Sequence, residues 1–341
     1  MKTRKREALA LTVSLLVLAL VLSFLTRLMT PKQHDFGSTW VHYLAEEEDS
    51  LDLIFFGSSL VYCDVVPAVL WEETGLTGYI VAGPEQTIPM TYYYVREALN
   101  TQSPRAIFVE ITGMFYNRYT NYTKTNIGQM PWGLNRLKAT FTEAEPEVRA
   151  GLLFPLLFYH DRWSTLTDDD WNVTLSGYET DPLAGYTYLD TYCQTDGIYE
   201  RTVADDPENY QRNLDALTKI YNLCLDRGVQ PVFYAAPTLG RIPEDAMEPL
   251  QDTIRETMPE ALLLDCNDHF DAIGADETRD FHDTLHYNAA GAEKFSRYLG
   301  GWIQENLALE PLPERDTDLW ESRLEHFSQL ASQPLSPLET E

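Results

Sequence analysis

Short apolar runs separated by helix-length amphipathic stretches constrain the fold of this chain more than any other feature. Residues 51–56, 77–82 and 105–111 each read as a strand, and residues 66–73 read as a helix ending near Gly75. Thr87 is placed to cap a further helix through Asn100, with Pro89 tolerated in its first turn. The pattern resumes at Asn209. Leu214, Leu217, Ile220, Tyr221 and Cys224 follow helical spacing, and Gly228 stands where a C-terminal cap belongs. Strands at 229–235 and 261–266 flank a helix at 246–258, and a closing helix carries Ala292, Phe295, Leu299 and Ile303 on one face. Strands without polar alternation are buried on both sides, so strand and helix in alternation predict a parallel sheet with crossover helices. The expectation is a three-layer α/β/α sandwich over residues 51–307.

Regularity fails over residues 113–206, a segment rich in Tyr, Trp, Asn and Thr. A long irregular stretch inside a domain is more often functional than structureless. It reads as an insertion covering the carboxyl edge of the sheet, with one helical piece near residues 145–158. Its aromatic rings suit either carbohydrate stacking or an ordinary packed lid.

The ends of the chain are of different character. Lys2, Arg4, Lys5 and Arg6 precede an uncharged run from Ala8 to Leu25, long enough to cross a bilayer as a helix. A cleaved signal peptide is the alternative, but residues 27–31 show no small-x-small cleavage pattern. Residues 1–30 are therefore expected to be a cytoplasmic basic start and an uncleaved anchor. The excess of positive charge before the run places the amino terminus in the cytoplasm and the rest outside, in a single-pass protein of the cell membrane. Residues 31–50 suit a polar spacer. Residues 308–341 form an acidic tail with Pro311, Pro313, Pro334 and Pro337 around an amphipathic helix, expected to pack back onto the domain or to mediate association.

A net charge of -28, from 53 acidic and 25 basic residues, would repel a phosphate backbone and sets nucleic acid aside as a partner. Cys63, Cys193, Cys224 and Cys266 are scattered without a C-x-x-C pair. No phosphate loop, dinucleotide fingerprint or metal-ligand cluster is evident, so neither a cofactor nor a metal is expected.

Chemistry enters at the end of the first strand. Gly57-Ser58-Ser59-Leu60 places a hydroxyl at the carboxyl end of a buried parallel strand, where open α/β sheets bind their ligands. A serine hydroxyl needs a base within hydrogen-bond reach, and the base needs a partner fixing its tautomer. Asp283-Thr284-Leu285-His286, just before the closing helix, supplies both. One turn of backbone is enough to bring the Asp283 carboxylate to Nδ1 of His286, leaving Nε2 for Ser59. Asn288 is placed to cap the closing helix. His160-Asp161 offers a different base inside the insertion, where a structural role is the simpler account. His269 and His282 read as cap or surface residues.

Gly57-Ser58-Ser59-Leu60 and Asp283-x-x-His286 together resemble the first and last blocks of the SGNH, or GDSL-type, serine esterase superfamily. The resemblance implies a flavodoxin-like fold, Ser59 as nucleophile, His286 as base and Asp283 as its orienter. It also implies that the Gly83 amide joins that of Ser59 in an oxyanion hole. Ser58 replaces the family's usual Asp. The third-block Gly-x-Asn-Asp is replaced by Val109-Glu110-Ile111-Thr112-Gly113, so the side-chain oxyanion donor is missing or is supplied by Gln86 or Thr112. The layout is similar to membrane-anchored envelope members such as alginate acetyltransferases and the D-alanyl transfer protein of teichoic acids. That likeness implies a serine esterase or O-acyltransferase acting on acyl esters of envelope polysaccharide, working with a membrane-bound O-acyltransferase. A fold retained for polysaccharide binding or assembly, without turnover, is the rival expectation.

Overall fold

The computed structural model describes residues 2–32, 40–195, 197–312 and 316–338. Five parallel strands form the main sheet: β1 (Leu53–Gly57), β2 (Gly78–Ala82), β3 (Ala106–Glu110), β4 (Gln230–Ala235) and β5 (Leu262–Asp265), in the order β2-β1-β3-β4-β5. Leu53 lies opposite Gly78 on one side and Ala106 on the other, so β1 is an interior strand. The strand order reverses between β1 and β3. A sheet of this kind opens a crevice at the carboxyl ends of those two strands.

The strands form here because their residues are apolar on both faces. Leu53 and Phe55 of β1, Phe108 of β3 and Val232 of β4 join a buried cluster with Val69 and Leu70 of helix Pro67–Thr74 and with Ala292, Phe295, Leu299 and Ile303 of helix Ala289–Asn306. The alternating residues Ile54, Phe56, Ile107, Val109 and Phe233 are equally buried. Helices Ile88–Ala98 and Pro207–Arg227 pack on each other, the first also meeting β1 and β2 and the second β4. Gly75 and Gly228 end their helices at φ 70° and 68°, in the left-handed region that glycine enters without steric cost.

The chain divides into two compact units. The larger comprises residues 35–144 and 180–341 and contains the sheet. The smaller comprises residues 1–34 and 145–179. It contains the helix Lys2–Met29, whose apolar stretch is long enough to cross a membrane. The central part of the irregular segment, residues 145–179, belongs to the same compact unit as this helix. The flanking parts stay with the sheet, as a 3-10 turn at Thr112–Phe115 and helices Thr123–Gln129 and Leu134–Thr142.

The described parts of the segments before and after residues 51–307, from Trp40 onward, pack within the larger unit. Of the spacer, residues 33–39 lie outside the described residues, but from Trp40 the chain is packed. Trp40 lies edge-on to Tyr94 at 5.0 Å, and the Tyr43 hydroxyl donates to the Ala98 carbonyl at 2.9 Å. The tail is also tied down, although Pro313 is outside the described residues. Helix Thr317–Ala331 buries Trp320 and Phe327, and Arg323 Nη2 meets Glu46 Oε1 at 2.5 Å. Residues Ser336–Pro337 pair with Thr191–Tyr192.

Candidate active site

Gly57 ends β1 at φ 150°. A side chain there would meet Val61 Cγ2 at 2.7 Å and Glu110 Cβ at 2.8 Å, so glycine is required for the chain to turn sharply out of the sheet. The next residues start a short helix, Ser59–Tyr62, with Ser58 at its N-cap. This places the Ser59 hydroxyl above the carboxyl end of β1, at the crevice between β1 and β3.

The partner groups come from a tight loop before the closing helix. Phe281 bridges Tyr287, the His282 amide donates to the His286 carbonyl at 2.9 Å, and the Tyr287 amide donates to Asp64 Oδ1 at 2.9 Å. Asn288 accepts from the amides of Ala290 and Gly291, capping helix Ala289–Asn306. The loop is thereby held at both ends. Asp283 Oδ1 accepts the amides of Leu285 at 2.7 Å and His286 at 2.9 Å, which turns its carboxylate back toward the imidazole.

The structure brings Ser59, His286 and Asp283 into one hydrogen-bonded chain. His286 Nε2 lies 2.7 Å from Ser59 Oγ, and His286 Nδ1 lies 2.8 Å from Asp283 Oδ2 and 3.0 Å from Oδ1. With the proton on Nδ1 donated to the carboxylate, Nε2 is the acceptor for the serine hydroxyl. Burial opposes ionisation of Asp283, but the His286 hydrogen bond and charge and the two backbone amides outweigh it, bringing the carboxyl down to about 2. Asp283 is an anion at neutral pH. The arrangement can take a proton from Ser59 and hold the imidazolium that results.

The expected oxyanion donors are differently employed. The Gly83 amide donates to the Gly57 carbonyl at 3.3 Å and so extends the pairing of β1 with β2. Gln86 Nε2 donates to Thr91 Oγ1 at 3.0 Å. Thr112 gives both its amide and its hydroxyl to Glu110, at 2.9 and 2.8 Å. The structure brings these three residues near the sheet edge but gives the Gly83 amide, both Thr112 donors and one Gln86 N–H to protein acceptors. The Ser59 amide has no hydrogen-bond acceptor among the described residues and remains available for a developing oxyanion.

Other residues surround the serine that the sequence did not single out. The Tyr116 hydroxyl lies 3.1 Å from Ser58 Oγ, while the Tyr116 carbonyl accepts from Asn209 Nδ2 at 2.7 Å. Asn126, buried at 1% exposure, donates to the Pro84 carbonyl at 2.9 Å, and its Oδ1 occupies the space that a side chain on Gly83 would need. It follows β3 by sixteen positions, outside any recognisable block, so only its tertiary position reveals it. Glu110 closes β3, and burial raises its carboxyl to about 7 against the opposing bonds from Thr112.

The remaining histidines stand apart from this chain of bonds. His282 Nδ1 is 2.5 Å from Thr191 Oγ1, with burial lowering its affinity for a proton. His269 stacks on Tyr298 at 5.7 Å. His160 and Asp161 are exposed residues of the smaller unit. No cluster of three or more His, Cys, Asp or Glu side chains fit to hold a metal occurs among the described residues. The four cysteines are free thiols.

Comparison with known proteins adds no identification. No family model matches the chain, and no curated protein matches it.

Proposed function

We propose that the chain is a serine esterase or O-acyltransferase of SGNH type, anchored in a membrane and acting outside the cytoplasm on acyl esters of envelope polysaccharide. The observation that carries this reading is the unbroken chain from Ser59 Oγ through His286 to Asp283, at 2.7 and 2.8 Å. A serine and histidine meeting by accident need no third group to orient the histidine, whereas here Asp283 is bonded to it and is itself fixed by two amides.

The chemistry follows from the geometry. His286 Nε2 removes the Ser59 proton as Oγ attacks the ester carbonyl carbon, and the Ser59 amide stabilises the oxygen that gains charge. The intermediate collapses with loss of the alcohol, which takes the proton from His286 and leaves an acyl-serine. Water then regenerates the enzyme as an esterase, or a polysaccharide hydroxyl takes the acyl group as a transferase. A membrane-bound O-acyltransferase is the donor partner that this layout suits. We read the two groups of helices about the sheet as the outer layers of a three-layer sandwich of flavodoxin-like order, and the apolar helix as a single anchor with a cytoplasmic amino terminus.

The second reading is a binding or assembly protein without turnover. It is favoured by the employment of the Gly83, Gln86 and Thr112 donors within the protein. The two readings separate in one experiment. Purified full-length protein in detergent is given 4-nitrophenyl acetate and an O-acetylated oligosaccharide, beside Ser59→Ala. Release of nitrophenol or acetate that depends on Ser59 supports an enzyme. Binding of the oligosaccharide with no Ser59-dependent release would leave the binding reading.

A further inference from the structure

The smaller unit exposes apolar side chains that its own fold does not require. Phe154, Leu157, Trp163, Trp171 and Leu175 are 67%, 59%, 71%, 43% and 71% exposed, all within 22 consecutive positions. Scattered single exposures are ordinary, but a group of this density marks a surface with a partner. The helix they accompany indicates which partner.

Along Lys2–Met29, residues 4–24 are all exposed, Phe24 at 40% and Leu20 at 70%, as suits a lipid-facing span. From Leu25 onward the helix is partly covered, and Leu28 is buried at 2%. The covering comes from residues 145–179. Arg162 Nη1 donates to the Met29 carbonyl at 2.6 Å, closing the end of the helix, and Arg27 Nη2 reaches the Val173 carbonyl at 3.4 Å. The Trp171 ring lies 6.3 Å from that of Phe24. Phe24 belongs to the uncharged run itself, so Trp171 stands at the level of the last apolar turn. From Phe24 to Met29 the helix rises roughly 7 Å, which matches the ~5–10 Å depth to which interfacial elements sink.

Arg162, Asp170 and Lys32 turn inward, while Glu147, Asp161, Asp168, Asp169 and Glu179 are exposed. Arg162 forms a bidentate pair with Asp170 at 3.1 Å, and the Asp170 side chain is only 4% exposed. Lys32 is 6% exposed and bonds the Arg27 carbonyl. An element that presents tryptophan, leucine and phenylalanine beside exposed carboxylates is suited to the boundary between polar headgroups and acyl chains, where aromatic belts occur.

We infer that residues 145–179 form a collar around the carboxyl-terminal end of the anchor helix, seating Phe154, Leu157, Trp163 and Leu175 in the lipid interface. This rests on reading Lys2–Met29 as a membrane span. The anchor then has two membrane elements, a span and a half-sunk collar, and the collar fixes its depth and limits its rotation.

The test uses the full-length chain in phosphatidylcholine and phosphatidylglycerol nanodiscs. In a Cys193→Ser background, where the remaining cysteines are buried, a nitroxide is attached at Phe154→Cys, Trp163→Cys or Leu175→Cys. Leu16→Cys serves as the lipid reference and Lys219→Cys, exposed on the larger unit, as the aqueous reference. Collar sites are expected to be relaxed more by oxygen than by a water-soluble nickel chelate, as at Leu16. Collar sites that behave as Lys219 while Leu16 stays in lipid would overturn the collar and spare the span. Sites shielded from both reagents would replace lipid with a protein partner or a second copy. An aqueous Leu16 would overturn the span and the collar with it.

Discussion

Whether a serine is acylated depends on where its proton can go, and at Ser59 the answer is a single nitrogen 2.7 Å away. Ser59→Ala is expected to abolish ester turnover with unchanged circular dichroism. Asp283→Asn keeps the shape of the loop but favours the wrong tautomer of His286, and kcat for a small ester is expected to fall about 10³- to 10⁴-fold, measured by steady-state kinetics. A loss under tenfold would mean that Asp283 does not orient the base. Glu110 makes a separate prediction. Burial holds its carboxyl at about 7, above the ordinary 4.5, so the folded protein keeps a proton that the unfolded chain has released. Stability therefore falls as pH rises from about 4.5 to about 7 and is level above it. Glu110→Gln should remove a loss on the order of 3 kcal/mol across that window, read as a smaller difference between urea midpoints at pH 5 and pH 8.

At the scale of elements, the turn out of β1 decides where the nucleophile stands. Gly57→Ala brings a methyl group within 3 Å of both Val61 and Glu110 at a φ of 150°. It is expected to cost about 1–3 kcal/mol in denaturant unfolding and to lower turnover by displacing Ser59. The tail helix is fastened by a different interaction. Arg323 and Glu46 side chains are 1% and 3% exposed, and Arg323 Nε also donates to the Asp181 carbonyl at 3.1 Å. Glu46→Ala leaves the buried guanidinium uncompensated and should cost about 3–5 kcal/mol, lowering the denaturation midpoint. An unchanged midpoint would show that the tail is not part of the cooperative fold.

Across the whole molecule, the sheet was legible because its five strands are short, apolar on both faces and punctuated by Gly75 and Gly228 in their cap positions. Ser59, Asp283 and His286 were legible because one follows the first strand and the others precede the last helix, and the topology brings those positions together. The donors at Gly83, Gln86 and Thr112 were not. Whether an amide faces a ligand or a neighbouring carbonyl depends on tertiary bonding, such as Gly83 to Gly57, that residue types do not encode. The division of the irregular segment between two units was hidden for a related reason, since composition does not say what Trp163 and Trp171 pack beside. Arg323 and Glu46 lie 277 positions apart, and no local pattern joins them. The central claim is an activated Ser59, and a fluorophosphonate probe applied to the full-length protein in detergent, with the modified peptide mapped by mass spectrometry, tests it most directly. The account predicts stoichiometric label on Ser59 that is lost in His286→Ala. A folded protein that leaves Ser59 unlabelled, or labels it equally without His286, would contradict it.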